Sequence, residues 1–264
     1  MQALPTLTTP CRRRQRQSGV TLYVVIVFVL LSMLLALWAA RSALFNEILV
    51  GNDADYRRTF EAAQAMLQDA ELDIRGAQPD GNPCIPVAGN NDICRPVPQA
   101  ATPTAPATAG ADVYFDIETK DLENMLSTIQ AKNATTNCFK GICQKRADPQ
   151  DFWNDSTALA AMTATDVGAY YGQFTGASAE TTANPLLAKP TPANPQKVWY
   201  WVEMLPYVDP NVALLASLPP GSNVERFAPA RKKLWVYRIT ALARGNKPNS
   251  EVVLQSTLSL QAAE

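Results

Sequence analysis

The feature that most constrains this chain is an apolar run of 21 residues without a charge, from Val20 to Ala40. A helix needs ~20 apolar residues to cross the hydrocarbon core of a bilayer, so the run predicts a transmembrane helix. The preceding residues 1–19 carry no acid and four basic residues: Arg12, Arg13, Arg14 and Arg16. Since basic flanks stay on the cytoplasmic side, we expect a single pass with the N-terminus in the cytoplasm and the rest outside it.

A secretory signal peptide is one alternative for this run. Its apolar region is only ~7–15 residues long and ends at a small-residue cleavage site. The run here is longer, and Ala36, Ala39 and Ala40 followed by Arg41 make a poor site. A plain membrane anchor is the other alternative, and the sequence beyond the run argues against it.

The helical pattern continues past the apolar run. Apolar residues recur at steps of mainly three and four, and they predict one stripe along an amphipathic helix over residues 41–76: Leu44, Phe45, Ile48, Leu49, Tyr56, Phe60, Ala63, Leu67, Ala70 and Ile74. Most acids, Asp69 and Asp73 among them, are expected off the stripe. No proline interrupts residues 20–75, and Gly76 predicts the helix end.

Composition excludes several classes of function. The chain has no histidine, which excludes histidine triads and most zinc or copper catalytic sites. Its 23 basic and 24 acidic residues lack the basic excess of a nucleic-acid binder. Phosphate loops and serine-nucleophile motifs are absent from the sequence. We therefore predict neither an enzyme nor a cofactor, metal or nucleic-acid partner.

Residues 77–264 predict an α+β head outside the cytoplasm. A loop rich in proline, alanine and threonine occupies residues 96–111, and helices are expected over Lys120–Lys132 and Ser156–Gln173. A second proline-rich loop, Asn184–Gln196, precedes three strands with alternating patterns: Val198–Leu205, Lys233–Ala243 and Glu251–Leu260. Gly245–Asn249 predicts a hairpin turn. The amphipathic helix is expected to lie across this antiparallel sheet through Phe60 and Leu67.

Five cysteines bear on the compartment of the head. Cys11 lies in the basic leader, and the other four allow three pairings. We favour the local pairs, Cys84 with Cys94 and Cys138 with Cys143, because each closes a loop-like stretch. Zinc is the alternative, but both spacings are too wide for its usual ligand pairs. Disulfides require an oxidising compartment, in agreement with the charge argument.

Two further clusters admit a structural and a functional interpretation. An oxygen-rich group could hold calcium or could cap helices, and capping is favoured because calcium-loop spacing is missing: Asp148, Asp151, Asn154 and Asp155. Trp199 and Trp201 share one strand face, where core packing is favoured over a ligand platform.

A basic leader ending in glycine, then an apolar helix that continues as an amphipathic one, resembles type IV pilins and pseudopilins. The amino-acid sequence is similar to those of the PilX-type minor pilins in three stretches: QSGVTLYVVIVFVLLSMLLALWAARSALFNEILVGN (17–52), FEAAQAMLQDAE (60–71) and VYRITALARGNKPNSEVVLQSTLSL (236–260). The resemblance implies a long N-terminal helix packed on a C-terminal sheet.

The resemblance also implies prepilin-peptidase cleavage between Gly19 and Val20, removal of residues 1–19 and methylation of the new N-terminus. Most pilins carry a glutamate five residues after the cut, where this chain has Val24. That glutamate is thought to meet the terminal amine of the subunit incorporated before it. A subunit at the filament tip has no such neighbour, so valine favours tip placement over simple drift.

The function implied is that of a minor pilin in a tip or priming complex that initiates type IV pilus assembly. Val24, Phe28, Leu31 and Leu35 would pack against sister helices. The implied partners are other minor pilins, the major pilin, prepilin peptidase, the inner-membrane assembly platform and a PilY-type tip adhesin. The subunit would lie in the inner membrane with a periplasmic head, and then in the pilus tip or fibre. A K-type pseudopilin of type II secretion and a membrane-anchored periplasmic binding domain remain alternatives.

Overall fold

The structure is a computed structural model that describes residues 19–87, 89–90, 92–102, 110–118, 121–177, 184–206 and 235–260. Several predicted features lie outside these residues: the leader arginines Arg12, Arg13, Arg14 and Arg16, Cys11, residues 103–109 of the proline-, alanine- and threonine-rich loop, Lys120 and Lys233. The chain divides into two compact units, Met1–Asn52 and Asp53–Glu264.

Helix α1 is the longest element and spans Val20–Arg75. It begins at the first residue after Gly19, as the apolar run predicts. By length and composition α1 can cross a membrane. It ends where predicted: Gly76 has a φ of 62°, and its N–H donates to the Asp73 carbonyl at 3.1 Å. A left-handed conformation at this point suits glycine, which has no Cβ to clash.

The head contains a sheet whose described strands lie in chain order: β1 (Cys138–Phe139), β2 (Ile142–Cys143), β3 (Val198–Pro206), β4 (Trp235–Arg244) and β5 (Glu251–Leu258). All neighbours pair antiparallel except β2 and β3, which are parallel with Ile142 opposite Val202. The predicted hairpin is confirmed, since Arg244 pairs with Glu251 across the turn. An α+β fold with α1 packed on the sheet is likewise confirmed.

Alternation along β3 separates two cores. Tyr200 and Val202 face the larger one, which also contains the buried face of α1 and helix α2 (Leu122–Lys132). Trp199 and Trp201 face the smaller one, with Phe152 and helix α3 (Ser156–Met162). Both indoles are buried, so the core interpretation of the tryptophans agrees with the structure. The head is therefore a sheet covered by helices on both faces.

The predicted stripe of α1 is rotated relative to the observed one. The buried residues of the helix are Asp55, Thr59, Ala62, Ala63, Met66, Asp69, Ala70, Asp73 and Ile74. Phe60 and Leu67 lie at the edge of this face and are partly buried, while Tyr56 is exposed. The expectation that Asp69 and Asp73 lie off the stripe is wrong, because both carboxylates have polar partners in the head that offset the cost of burial.

The second correction concerns the helix predicted over Ser156–Gln173, which ends at Met162. The chain beyond it bonds to strands instead: the N–H of Gly141 donates to Val167, and Ala169 exchanges two backbone hydrogen bonds with Tyr200. At Gly168 a Cβ would lie 2.8 Å from Trp201 Nε1, so the close approach needs glycine. Tertiary hydrogen bonds here override local helix propensity.

Asp55 connects α1 with the β4–β5 turn. Its carboxylate accepts the backbone N–H groups of Asn246 and Lys247 at 3.1 Å each. One turn later, the Thr59 hydroxyl lies 3.3 Å from that of Ser250. These directional contacts specify which part of the helix meets the hairpin.

We predict that Asp55→Ala lowers the free energy of unfolding by about 1–3 kcal/mol, because two turn N–H groups lose their buried acceptor. Asp53→Ala is the matched control two residues earlier, where an exposed carboxylate pairs with Arg57. That control should cost less than about 1 kcal/mol. Chemical unfolding of the full chain in detergent measures both, and equal losses would contradict the assignment.

Candidate assembly surface

The first unit presents an uncovered apolar helix surface. From Val20 to Val50 every side chain of α1 is exposed except that of Val27, which is half-buried. Val24, Phe28, Leu31 and Leu35 are 42%, 70%, 54% and 64% exposed, and their spacing of three and four puts them on one face. Leu44, Phe45, Ile48 and Leu49 are exposed as well. This surface can be buried only by lipid or by other protein.

The predicted cleavage residues stand at the start of this surface. Gly19 and Val20 are both exposed, with Val20 as the first helical residue. Cleavage between them would leave a helix that begins at its own N-terminus.

The structure bonds Cys84 to Cys94 and Cys138 to Cys143, with Cα–Cα distances of 5.4 and 4.1 Å. These are the two local pairings favoured from the sequence. The second bond joins opposite residues of β1 and β2, and both of its cysteines lie in the smaller core.

Arg95 and Asp73 form a buried ion pair beneath the end of α1. Arg95 Nε donates to both Asp73 carboxylate oxygens at 2.9 and 3.0 Å, and the two side chains are 3% and 2% exposed. The Tyr200 hydroxyl donates to the same carboxylate at 2.7 Å. Burial, and then the charge of Asp73, raise the pKa of Tyr200 well above its usual value, so the phenol remains a donor.

Both terminal nitrogens of Arg95 also donate hydrogen bonds. Nη2 donates to the Lys140 carbonyl at 2.7 Å and Nη1 to the Val113 carbonyl at 3.4 Å. The guanidinium carbon lies 3.4 Å from the ring centroid of Phe174, a cation–π contact. Arg95 thus joins α1, β3 and three connecting segments at one buried point.

Asp69, one turn before Asp73, binds the segment that follows α3. Its carboxylate accepts the Thr175 hydroxyl at 2.5 Å and the Gly172 N–H at 2.8 Å. Burial raises the pKa of Asp69 to about 7, although Thr175 and Gly172 act against that increase.

Neither Arg95 nor the buried aspartates were predicted as site residues. One signal in the sequence points to the acids: Asp69 and Asp73 are four residues apart and alternate with Met66, Ala70 and Ile74 at helical spacing. Nothing local identifies Arg95 as their partner, since it stands immediately before the proline-rich loop at residues 96–111.

The oxygen-rich cluster borders a cavity of about 560 Å³ beside α3. Asp155 caps α3, accepting the N–H groups of Thr157 and Ala158 at 2.7 and 2.9 Å. Asp151 accepts the Asn154 amide at 3.0 Å. Within the described part of the chain, no group of three or more His, Cys, Asp or Glu residues could hold a metal ion. The local hydrogen bonds support the capping interpretation.

Residues 139–260 match the family described as type IV pilus assembly protein PilX, C-terminal domain. This part of the chain is similar to a PilX C-terminal domain. The match begins in β1 and ends just after β5, so it covers nearly the whole described sheet together with α3. No significant match to a curated protein or to a solved structure was found.

The match confirms the resemblance to PilX-type pilins over residues 139–260, which are somewhat less than half of the chain. The family's description refers to assembly of the type IV pilus. The long apolar helix near the N-terminus fits membrane anchoring of the head. Helix α1, the Cys84–Cys94 loop and Arg95 lie before the matched residues.

The Asp69 site predicts how the stability of the head depends on pH. A carboxyl whose folded-state pKa is raised from 3.8 to about 7 contributes stability that is complete below pH 3.8 and is lost as the pH rises through 7. We expect Asp69→Asn to remove this decrease, because an amide does not ionise. Unfolding of wild type and variant at several pH values between 4 and 8 measures the difference. An unchanged pH dependence in the variant would contradict the prediction.

Proposed function

We propose that this chain is a minor pilin that joins a tip or priming complex initiating type IV pilus assembly. The observation that carries the proposal is the PilX domain joined to an exposed apolar helix whose fifth residue after Gly19 is Val24. The proposed role is structural, without a reaction or a cofactor.

Processing is the first step of the proposed function. Prepilin peptidase would cut between Gly19 and Val20 on the cytoplasmic face, removing the arginine-rich leader, and the new N-terminus would be methylated. The start of α1 at Val20 supports this site, because the helix needs no refolding after the cut.

Assembly then rests on the uncovered helix surface. Lipid is as apolar as the helix side chains, so apolar contact alone gives little driving force between helices in the membrane. Close packing of complementary shapes supplies it instead. The face with Val24, Phe28, Leu31 and Leu35 would pack against other minor pilins and the major pilin, with the head in the periplasm close to the assembly platform and a PilY-type tip adhesin.

Val24 favours the tip position within that assembly. A carboxylate at bilayer depth costs ~2.5–3.5 kcal/mol on insertion scales, so it needs a partner. In an internal subunit the terminal amine of the preceding subunit supplies that partner. The first subunit of a filament has no preceding subunit, so a carboxylate there would lack a partner. The valine avoids an unpaired charge.

The tip position is tested by comparing Val24→Glu with Val25→Glu, with Val24→Leu as the neutral control. Both valines are exposed, 42% and 55%, on adjacent faces of α1. In a tip subunit neither glutamate finds a partner, so both variants should lower filament number at least about tenfold, as a cost of 1.4 kcal/mol or more implies. Filament counts at matched protein levels measure this. Wild-type counts for Val24→Glu, with Val25→Glu defective, would place the subunit inside the filament.

A deletion strain separates the classes of function. Loss of filaments with normal protein secretion supports the pilus role, while loss of secretion with normal filaments identifies the K-type pseudopilin alternative. If filaments and secretion are both normal, the result supports the alternative of a membrane-anchored binding domain. Complementation with the wild-type chain is the control in each case.

A further inference from the structure

The last turn of α1 and the Cys84–Cys94 loop form a closed ring of contacts. The Cys84 N–H donates to the Gly76 carbonyl at 2.8 Å, immediately after the helix. The disulfide then joins Cys84 to Cys94. Arg95 follows directly and returns to Asp73, which lies three residues before Gly76. The disulfide therefore shortens the covalent path between the end of the helix and the counter-ion buried beneath it.

The backbone at this point is held in an uncommon conformation. Cys94 and Arg95 have φ angles of 65° and 39°, a left-handed region that residues with a Cβ seldom occupy. Such conformations persist only where the surroundings enforce them. Here the enforcing contacts are the disulfide and the Cys94 N–H, which donates to the Phe174 carbonyl at 2.7 Å. This geometry turns the Arg95 side chain inward to the core.

Removal of Arg95 from its position would leave Asp73 buried opposite Tyr200 without a counter-charge. An ion pair that loses one partner in the interior is strongly destabilised, because the remaining charge stays desolvated. The nearby Asp69 carboxylate adds a second buried acid on the same helix face. Displacement of Arg95 would therefore destabilise the docked position of the last turns of α1.

We propose that the Cys84–Cys94 disulfide is an oxidation-dependent lock that docks the last turns of α1 on the head by holding Arg95 at Asp73. The bond forms by thiol–disulfide exchange with a disulfide-bearing oxidant. The two thiols lose two protons and two electrons, and the oxidant's disulfide becomes a dithiol. Such oxidants act outside the cytoplasm. The lock thus closes only after the head has crossed the membrane, so that the last turns of α1 are fixed to the head in the compartment where, on the proposed function, subunits assemble.

The Cys138–Cys143 bond provides a matched control in the same chain. It joins paired residues of adjacent strands in the smaller core, on the sheet face opposite Tyr200 and Asp73. Its removal leaves the covalent path between Arg95 and α1 unchanged, because that path does not pass through it. Removal of the Cys138–Cys143 bond should lower the global stability of the head without selectively releasing the last turns of α1.

The test uses the full chain in detergent and compares Cys84→Ser/Cys94→Ser with Cys138→Ser/Cys143→Ser by hydrogen exchange. We expect amides of residues 66–75 to exchange at least about tenfold faster in the first variant than in the second, relative to strands β3 and β4. Equal exchange of residues 66–75 in the two variants would overturn the lock.

A second comparison shows whether the disulfide acts through the ion pair. In an Asp73→Asn/Arg95→Met background the carboxylate and its counter-ion are both gone, so loss of Cys84 and Cys94 should accelerate exchange less than half as much as in wild type. An equal effect in both backgrounds would mean that the bond acts only on the loop. If Cys84→Ser/Cys94→Ser does not accumulate, reduction of the folded Cys138→Ser/Cys143→Ser chain opens the same bond and gives the same two outcomes.

Discussion

The uncovered apolar surface of α1 is the constraint on which the rest of this protein depends. From Val20 to Val50 almost every side chain of the helix is exposed, and the stretch to Ala40 carries no charge for water to solvate. Such a surface requires lipid or other protein to cover it. Since lipid and helix side chains are equally apolar, selectivity between helices comes from shape and from the few polar groups present. The lack of an acid at position 24 is therefore informative, because one carboxylate changes which neighbours are acceptable.

The second half of α1 solves a different problem, which is to meet the sheet in one orientation. Small side chains at Ala62, Ala63 and Ala70 allow close approach, but apolar contact is non-directional and does not fix rotation of the helix. We infer that the buried acids supply that specificity. Asp55 binds the hairpin turn, Asp69 the segment after α3, and Asp73 both Arg95 and β3. Each acid depends on a different part of the head, so a rotated helix would leave several buried charges unpaired.

The sequence predicts the parts of this fold that depend on local periodicity. The span, the stop at Gly76, strands β3 to β5 and the hairpin follow from patterns within a few residues of each other. The rotation of α1 was missed because the partners of its acids lie 22 residues away at Arg95, 106 at Thr175 and 127 at Tyr200. The end of α3 was missed for the same reason, since hydrogen bonds to β3 decide it. Strands β1 and β2, two residues each, are too short to show any alternation.

The state of the N-terminus tests the account most directly, because an assembly helix that starts at Val20 is its central claim. Intact-mass and peptide mass spectrometry of the chain isolated from membranes identifies the first residue and its modification. The account predicts a chain that begins at Val20, is methylated on that residue and lacks residues 1–19. A mature chain that retains the arginine-rich leader, or that begins after Ala40, would contradict it.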